Sequence, residues 1–254
     1  GPSAPRDWCM LHLPLHRVGR GCTQATMSDE TPDLIWQEDT TGGQLPVSKR
    51  FDDPYFSAAD GRAESEYVFL AGNGIADRWT DLDTFTIGEL GFGTGLNLLQ
   101  TWQRWRQVRR GGSHLRFQSV EAFPLAAADA LTALARWPDL AEDAAALWGE
   151  DFYHPLKLDD QTMLHLHHAF ASDAVPHFVA CNAWFLDGFS PAKNESMWAP
   201  ELMQAVFDRT APGGTFASYT AAGWVRRNLE DAGFTVERKP GFGRKRHMIV
   251  GTKP

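Results

Sequence analysis

At 254 residues, with 43% of them hydrophobic and 12% aromatic, the chain can bury a substantial core, which excludes a disordered or fibrous protein and suits one α/β domain with a small appendage. A formal net charge of −8 argues against a sequence-blind nucleic-acid binder but leaves room for a local basic face, because steering depends on where charge sits. No apolar run reaches the about 18 residues of a membrane span, and three cysteines without a Cys-x-x-Cys pair build no disulfide framework, so a reducing cytoplasm is the expected compartment and no membrane contact is expected.

Residues 1–26 carry no periodicity, "MLHLPLHRVG" is too broken by His, Pro and Arg for a signal-peptide core, and Met27 reads as a natural start, so residues 1–33 are set aside as a leader. Residues 34–79, with "TTGGQLPVSKRFDDPYFS" at their centre, predict short strands in a small N-terminal subdomain. Residues 80–254 form the main domain. There "TFTIGELGFGTG" predicts a buried strand entering a glycine-rich turn, and "LNLLQTWQRWRQV" places Leu98, Trp102, Trp105 and Val108 at helical spacing. "LRFQSVEAF" is a second strand, "PLAAADALTALARW" a second helix opened by Pro124, and "AWFLDGF" a later strand. "SMWAPELMQAVFDRTAPGG" predicts a helix closed by Pro-Gly-Gly, followed by the strand "TFASYT" and the helix "AGWVRRNLEDAG". "FTVERKP" and "RHMIVGTK" are two strands joined through "GFGRK". The alternation predicts a doubly wound, mostly parallel sheet, with the last two strands as an antiparallel edge.

Three stretches carry chemistry. In "GELGFGTG", Gly91, Gly93 and Gly95 let the backbone turn from strand to helix while approaching a ligand closely. The G-x-G-x-G spacing excludes a P-loop, and Leu96 stands where a dinucleotide fingerprint wants its third glycine. Glu89, just ahead, suits a cation such as the amino group of a methionine moiety. A glycine turn with no ligand is the competing reading. Glu121, ending the second strand, is placed for a ribose hydroxyl pair, against the alternative of a solvated strand end. Asp187, in "FLDGFSPAKNESMW", falls at the carboxyl end of a later strand and is expected to line the same crevice. Gly188 then permits an unusual turn, Phe189 can cover a flat ring and Pro191 directs the chain; helix capping by Asp187 is the rival reading. Together these suggest a class I S-adenosylmethionine-dependent methyltransferase acting on an amine.

"ELGFGTGLNLL", "VEAFPL", "WFLDGFSPAKNESMW", "PGGTFASYTAAGWVRRNLEDAGF" and "KPGFGRKRHM" resemble the methyltransferase part of the bifunctional tRNA 5-methylaminomethyl-2-thiouridine biosynthesis family MnmC, and "LPVSKRFDDPYFS" resembles its N-terminal region. The resemblance, over Leu34 to Pro254, implies methylation of the 5-aminomethyl group of wobble uridine in tRNA. It places Glu89, Gly91, Gly93, Gly95, Asn97 and Glu121 around S-adenosylmethionine, and Asp187, Phe189 and Pro191 at the methyl acceptor. Where the family has Gly-Asp near adenine, "HHAFASDAV" leaves Asp173 as the candidate. The family's flavin-dependent oxidase domain has no counterpart in this sequence, so FAD is not expected and a separate oxidase protein is the implied partner. His165 and His167 share a strand face without an evident third ligand, so no metal is expected. The tail from Arg238 holds Arg238, Lys239, Arg244, Lys245, Arg246 and Lys253 and no acid, with Arg226 and Arg227 nearby, a candidate phosphate-binding patch in which Phe242 could stack on an anticodon-loop base. The alternatives are an N-methyltransferase of small-molecule or protein amines, and a non-catalytic binding module of the same fold.

Overall fold

Two sheets share one core. The computed structural model describes residues 33–39, 42–58, 60–149 and 155–254; the leader, with Cys9 and Cys22, lies outside them apart from Asp33. Strands β1 (Leu34–Glu38), β2 (Gln44–Ser48) and β3 (Asp53–Pro54) form a small antiparallel sheet, and Leu45 and Val47 of β2 turn inward. The strand-rich part of the expected N-terminal subdomain therefore ends at Pro54. Residues beyond it are helical: α1 (Gly61–Glu64) starts where the Asp60 carboxylate accepts the Ala63 N–H at 3.0 Å, and it widens into a π-helix over Ser65–Ala71. That segment is amphipathic, and it buries Val68, Phe69 and Leu70 in the same hydrophobic cluster as Phe85, Phe117 and Phe185.

The main sheet has eight strands in the order β10-β11-β9-β8-β4-β5-β7-β6. In chain order these are β4 (Thr84–Leu90), β5 (His114–Glu121), β6 (Leu156–Asp159), β7 (Thr162–His168), β8 (Cys181–Leu186), β9 (Thr210–Ser218), β10 (Thr235–Pro240) and β11 (His247–Thr252). Helices α2 (Leu96–Val108), α3 (Ala127–Leu134), α4 (Ala141–Trp148), α5 (Ala171–Ala174), α6 (Pro200–Asp208) and α7 (Gly223–Ala232) connect them. The strands β7, β5, β4, β8 and β9 run parallel, and their apolar runs are buried on both faces, as helices on each side of a parallel sheet require. The expected antiparallel edge of β10 and β11 is present, with β11 also antiparallel to β9. A second antiparallel edge, β6 on β7, closes the far side. The Pro212-Gly213-Gly214 stretch does not close α6, which ends at Asp208; it lies inside β9, where the pairing with β8 shifts register.

From β4 the chain winds to β5 and β7 on one side, while β8 continues on the other. The order reverses between β4 and β8, and a crevice opens outside the carboxyl ends of these two strands.

Arg78 fastens the helical N-terminal segment to this sheet. Its guanidinium donates to the Asn73 carbonyl (2.9 Å), Thr215 Oγ1 (2.7 Å) and the Asn182 carbonyl (2.7 Å), while Asn73 Nδ2 donates to the Trp184 carbonyl at 3.1 Å. Replacing Arg78 by Met leaves these acceptors without that donor, and unfolding in urea is expected to show a loss of about 2–4 kcal/mol.

Candidate active site

Both loops at the reversal point depend on glycine. Gly91, Gly93 and Gly95 have φ of +81°, +56° and +82°, and Gly188 has φ +102°. A Cβ on Gly91 would stand 2.9 Å from the Gly188 Cα, so the loops leaving β4 and β8 touch backbone to backbone. Gly95 serves packing instead: a Cβ there would meet Leu147 Cδ2 and Phe92 Cζ at 3.0 Å, and Gly95 does not line the crevice.

The contact brings the strand-end acids together. Asn97, in the first turn of α2, donates from Nδ2 to Glu89 Oε2 at 3.0 Å and to Asp187 Oδ2 at 2.7 Å. Ser119 Oγ donates to Glu89 Oε1 at 2.6 Å. Glu89 is only 1% exposed and stands behind Asn97, not on the crevice wall. Glu121 faces the crevice, accepting the Gly93 N–H at 2.9 Å and the Phe123 N–H at 3.3 Å. The crevice is a cavity of about 550 Å³ whose walls include Gly91, Gly93, Asn97, Glu121, Asp187 and Phe189.

The loop after Asp187 is held from three sides. Ser190 N–H donates to Asp53 Oδ2 (2.7 Å), Trp198 Nε1 to the Phe189 carbonyl (3.1 Å), and the Tyr219 hydroxyl to the Gly188 carbonyl (2.9 Å). Phe189 stacks on Phe51 at 4.9 Å and meets the edge of Tyr55 at 5.1 Å. Pro191 is buried and shapes the turn without reaching the cavity. Asp173 sits exposed on α5 and does not line the cavity; Phe170 and Ala171, at the start of that helix, do.

Sequence reasoning missed Glu64 and Tyr219 and placed Lys245 only in a phosphate-binding patch; all three line the cavity together with Asp187. Lys245 lies in the loop between β10 and β11, and its Nζ stands 4.1 Å from the Tyr219 ring centroid and 3.4 Å from Glu64 Oε2. The basic tail is accordingly divided. Arg244 and Arg246 are exposed on that loop at the rim, Lys239 lies 3.4 Å from Glu237, and Lys253 donates to the Phe207 carbonyl beyond the opposite end of β11. Phe242 is half-buried against Tyr67, with ring centroids 6.1 Å apart, so its ring is not a free stacking platform. His167 and His168 border a smaller cavity of about 220 Å³ beside Glu121, and His167 stacks on Phe178 at 5.1 Å. Among the described residues no group of three His, Cys, Asp or Glu is placed to hold a metal ion, and no helix is long and apolar enough to cross a membrane.

A model of the S-adenosyl-L-methionine-dependent methyltransferases matches residues 131–254. The chain is 45% identical over 237 residues to the tRNA 5-methylaminomethyl-2-thiouridine biosynthesis bifunctional protein MnmC of Pseudomonas aeruginosa (strain UCBPP-PA14), an alignment covering 89% of this chain and 36% of that protein. With the MnmC of Chromohalobacter salexigens it shares 43% identity over 229 residues, 87% of this chain and 33% of the relative. Over most of its length the chain is similar to a part of these MnmC proteins. The chain spans about a third of the length of these curated relatives. Its fold is that of MNMC2 from Aquifex aeolicus, with a TM-score of 0.70 at 23% identity, covering 89% of this chain and 72% of the other. The doubly wound sheet with its antiparallel edge is thus a class I methyltransferase fold.

The residues present fit the S-adenosylmethionine that this family uses. Glu121 presents a carboxylate at the end of β5, where a ribose diol is bound in such sheets, and the glycine turn leaves the backbone open to close approach. Burial raises all three acids, Glu89 well above the usual carboxylate range, with its Ser119 and Asn97 hydrogen bonds working against the shift. Burial, reinforced by Glu64, lifts Asp187 to about 7, opposed by its bond from Asn97 and by Lys245. A raised carboxyl pKa means that the folded state retains a proton which the unfolded state has released, so between about pH 4 and pH 7 Asp187 makes stability fall as pH rises. Asp187→Asn removes that loss. In ligand-free protein it should melt higher than the parent at pH 8, by about 1–3 kcal/mol of stability, and the difference should vanish near pH 4; equal melting at both pH values would contradict the assignment.

Proposed function

We propose that the chain transfers the methyl group of S-adenosylmethionine to the 5-aminomethyl nitrogen of wobble uridine in tRNA, giving 5-methylaminomethyl(2-thio)uridine. The supporting observation is Asp187: a carboxyl group enclosed at the reversal point, tied to Asn97 and surrounded by acids and aromatic rings. When bound, S-adenosylmethionine supplies an electrophilic sulfonium methyl. Glu121 and the glycine turn would hold it, and the chain's own work concerns the amine.

An alkylammonium, whose pKa is about 10, must lose a proton before its lone pair can attack. Asp187, with a pKa of about 7, can hold the ammonium by a charge-assisted hydrogen bond and accept its proton as the nitrogen becomes nucleophilic. The Asn97 bond and the Gly188 backbone fix the carboxylate, so positioning carries much of the rate. Phe189, Phe51 and Tyr55 offer apolar faces for the flat base. Arg244 and Arg246 on the rim loop favour a polyanionic substrate over a small-molecule amine.

Purified protein with S-adenosylmethionine should methylate tRNA from cells blocked at the aminomethyl stage and leave tRNA lacking the amine unmodified, as scored by nucleoside mass spectrometry. Equal labelling of unmodified tRNA would refute the substrate. Asp187→Ala should lower kcat by about 10²–10⁴-fold while calorimetry shows S-adenosylhomocysteine affinity within about threefold. Glu121→Ala should do the reverse, weakening S-adenosylhomocysteine by about 10–100-fold through loss of a charged hydrogen-bond acceptor.

A further inference from the structure

Lys245 places a primary alkylammonium on the cavity wall. Its Nζ sits over the face of Tyr219, 4.1 Å from the ring centroid, and 3.4 Å from the Glu64 carboxylate; both residues share the cavity wall with Asp187. The aminomethyl group of the proposed substrate is the same chemical object, a CH₂–NH₃⁺ group. A carboxylate and an aromatic face together attract a compact cation, and the low polarity of the cavity strengthens both attractions.

We propose that Glu64, the face of Tyr219 and Asp187 form the seat that recognises the substrate's ammonium, and that Lys245 occupies this seat until that ammonium arrives, then swings out to pair with a backbone phosphate. The inference rests on the aminomethyl-tRNA reading above. Three features support the exchange. The Tyr219 ring is fixed by its hydroxyl bond to the Gly188 carbonyl at 2.9 Å and by the edge-on Trp198 ring at 6.1 Å, so the seat is built before the ligand enters. Glu64 has a side chain only 14% exposed, whereas the Lys245 side chain is 47% exposed, so the lysine can leave by rotation while the carboxylate stays. Lys245 belongs to the rim loop that also carries exposed Arg244 and Arg246, and its departing charge moves towards the polyanion. One cation replaces another in the seat, so the acids are never left facing each other without a positive charge.

The test is equilibrium binding of two tRNAs, one with 5-aminomethyluridine and one with uridine at the wobble position, in the presence of S-adenosylhomocysteine so that no turnover occurs. The parent should prefer the aminomethyl tRNA by about tenfold. Glu64→Gln should erase that preference while holding uridine tRNA within about twofold of the parent. Lys245→Ala should lower the salt slope for the aminomethyl tRNA by about one and leave that for the uridine tRNA unchanged, because only the ammonium-bearing substrate displaces the lysine onto a phosphate. Tyr219→Phe should keep the preference and Tyr219→Leu should lose it, and this pair decides the matter if Glu64→Gln fails to fold. A Glu64→Gln protein that retains the parent's preference, or a Lys245→Ala protein whose salt slope for the aminomethyl tRNA is unchanged, overturns the seat while leaving the methyl-transfer reading intact. A parent that neither prefers nor methylates the aminomethyl tRNA overturns that reading and the seat with it.

Discussion

The backbone contact between Gly91 and Gly188 is the constraint on which the site depends. Parallel strands about 4.8 Å apart deliver their carboxyl ends to the same level, but a side chain at 91 would push the two loops apart. Two glycines at positive φ let the chains leaving β4 and β8 cross in contact. That closeness allows one amide, Asn97, to touch Glu89 from the first strand and Asp187 from the next. Any residue larger than glycine at 91 would push apart the loops that carry Asn97 and Asp187.

Gathering acids in this way is unfavourable in the free protein. Glu89, Glu121 and Asp187 are all enclosed, and burial alone disfavours their charged forms. The chain offsets the cost with neutral donors: the hydroxyl of Ser119, the amide of Asn97 and the backbone N–H groups of Gly93 and Phe123. What these donors leave uncompensated is available to a cationic ligand, and both a sulfonium and an alkylammonium can supply the missing charge. Under the proposed function, acids held at such a cost favour positively charged reactants.

Local pattern revealed the half of the site that strand–turn–helix geometry dictates. The glycine turn, Glu121 at the end of β5 and Asp187 at the end of β8 follow from where open α/β sheets bind ligands, and the structure places all of them around one reversal point. Glu89 was expected on the crevice wall because it precedes the glycines, yet strand alternation and Asn97 keep it behind. Glu64, Tyr219 and Lys245 carry no local signature; a rim loop, a strand end and an irregular helix converge only in three dimensions. The π-helix of Ser65–Ala71 also escaped notice, because turn residues on either side mask its short apolar run. Lys253 was grouped with the basic tail by adjacency in sequence, but an extended six-residue strand separates it from the loop that holds Lys245. Phe242 and Asp173 show the same limit: composition suggests what a side chain can do, and packing decides which way it faces.

The N-terminal segment explains why the fold alone does not define this protein. The loops of the doubly wound sheet supply Gly91, Gly93, Glu121 and Asp187 to the cavity, and the N-terminal segment adds Phe51, Asp53, Tyr55 and Glu64. That segment is anchored where it matters. Arg62 Nε donates to Gln100 Oε1 at 2.6 Å, and Gln100 Nε2 donates to Glu66 Oε2 at 2.7 Å, so one side chain of α2 grips the residues on both sides of Glu64. Gln100 lies one turn after Asn97 on the same helix, whose first turn follows the glycine loop. The helix therefore sets the distance between Asp187 and Glu64, and a change in the position of α2 would move both acids together.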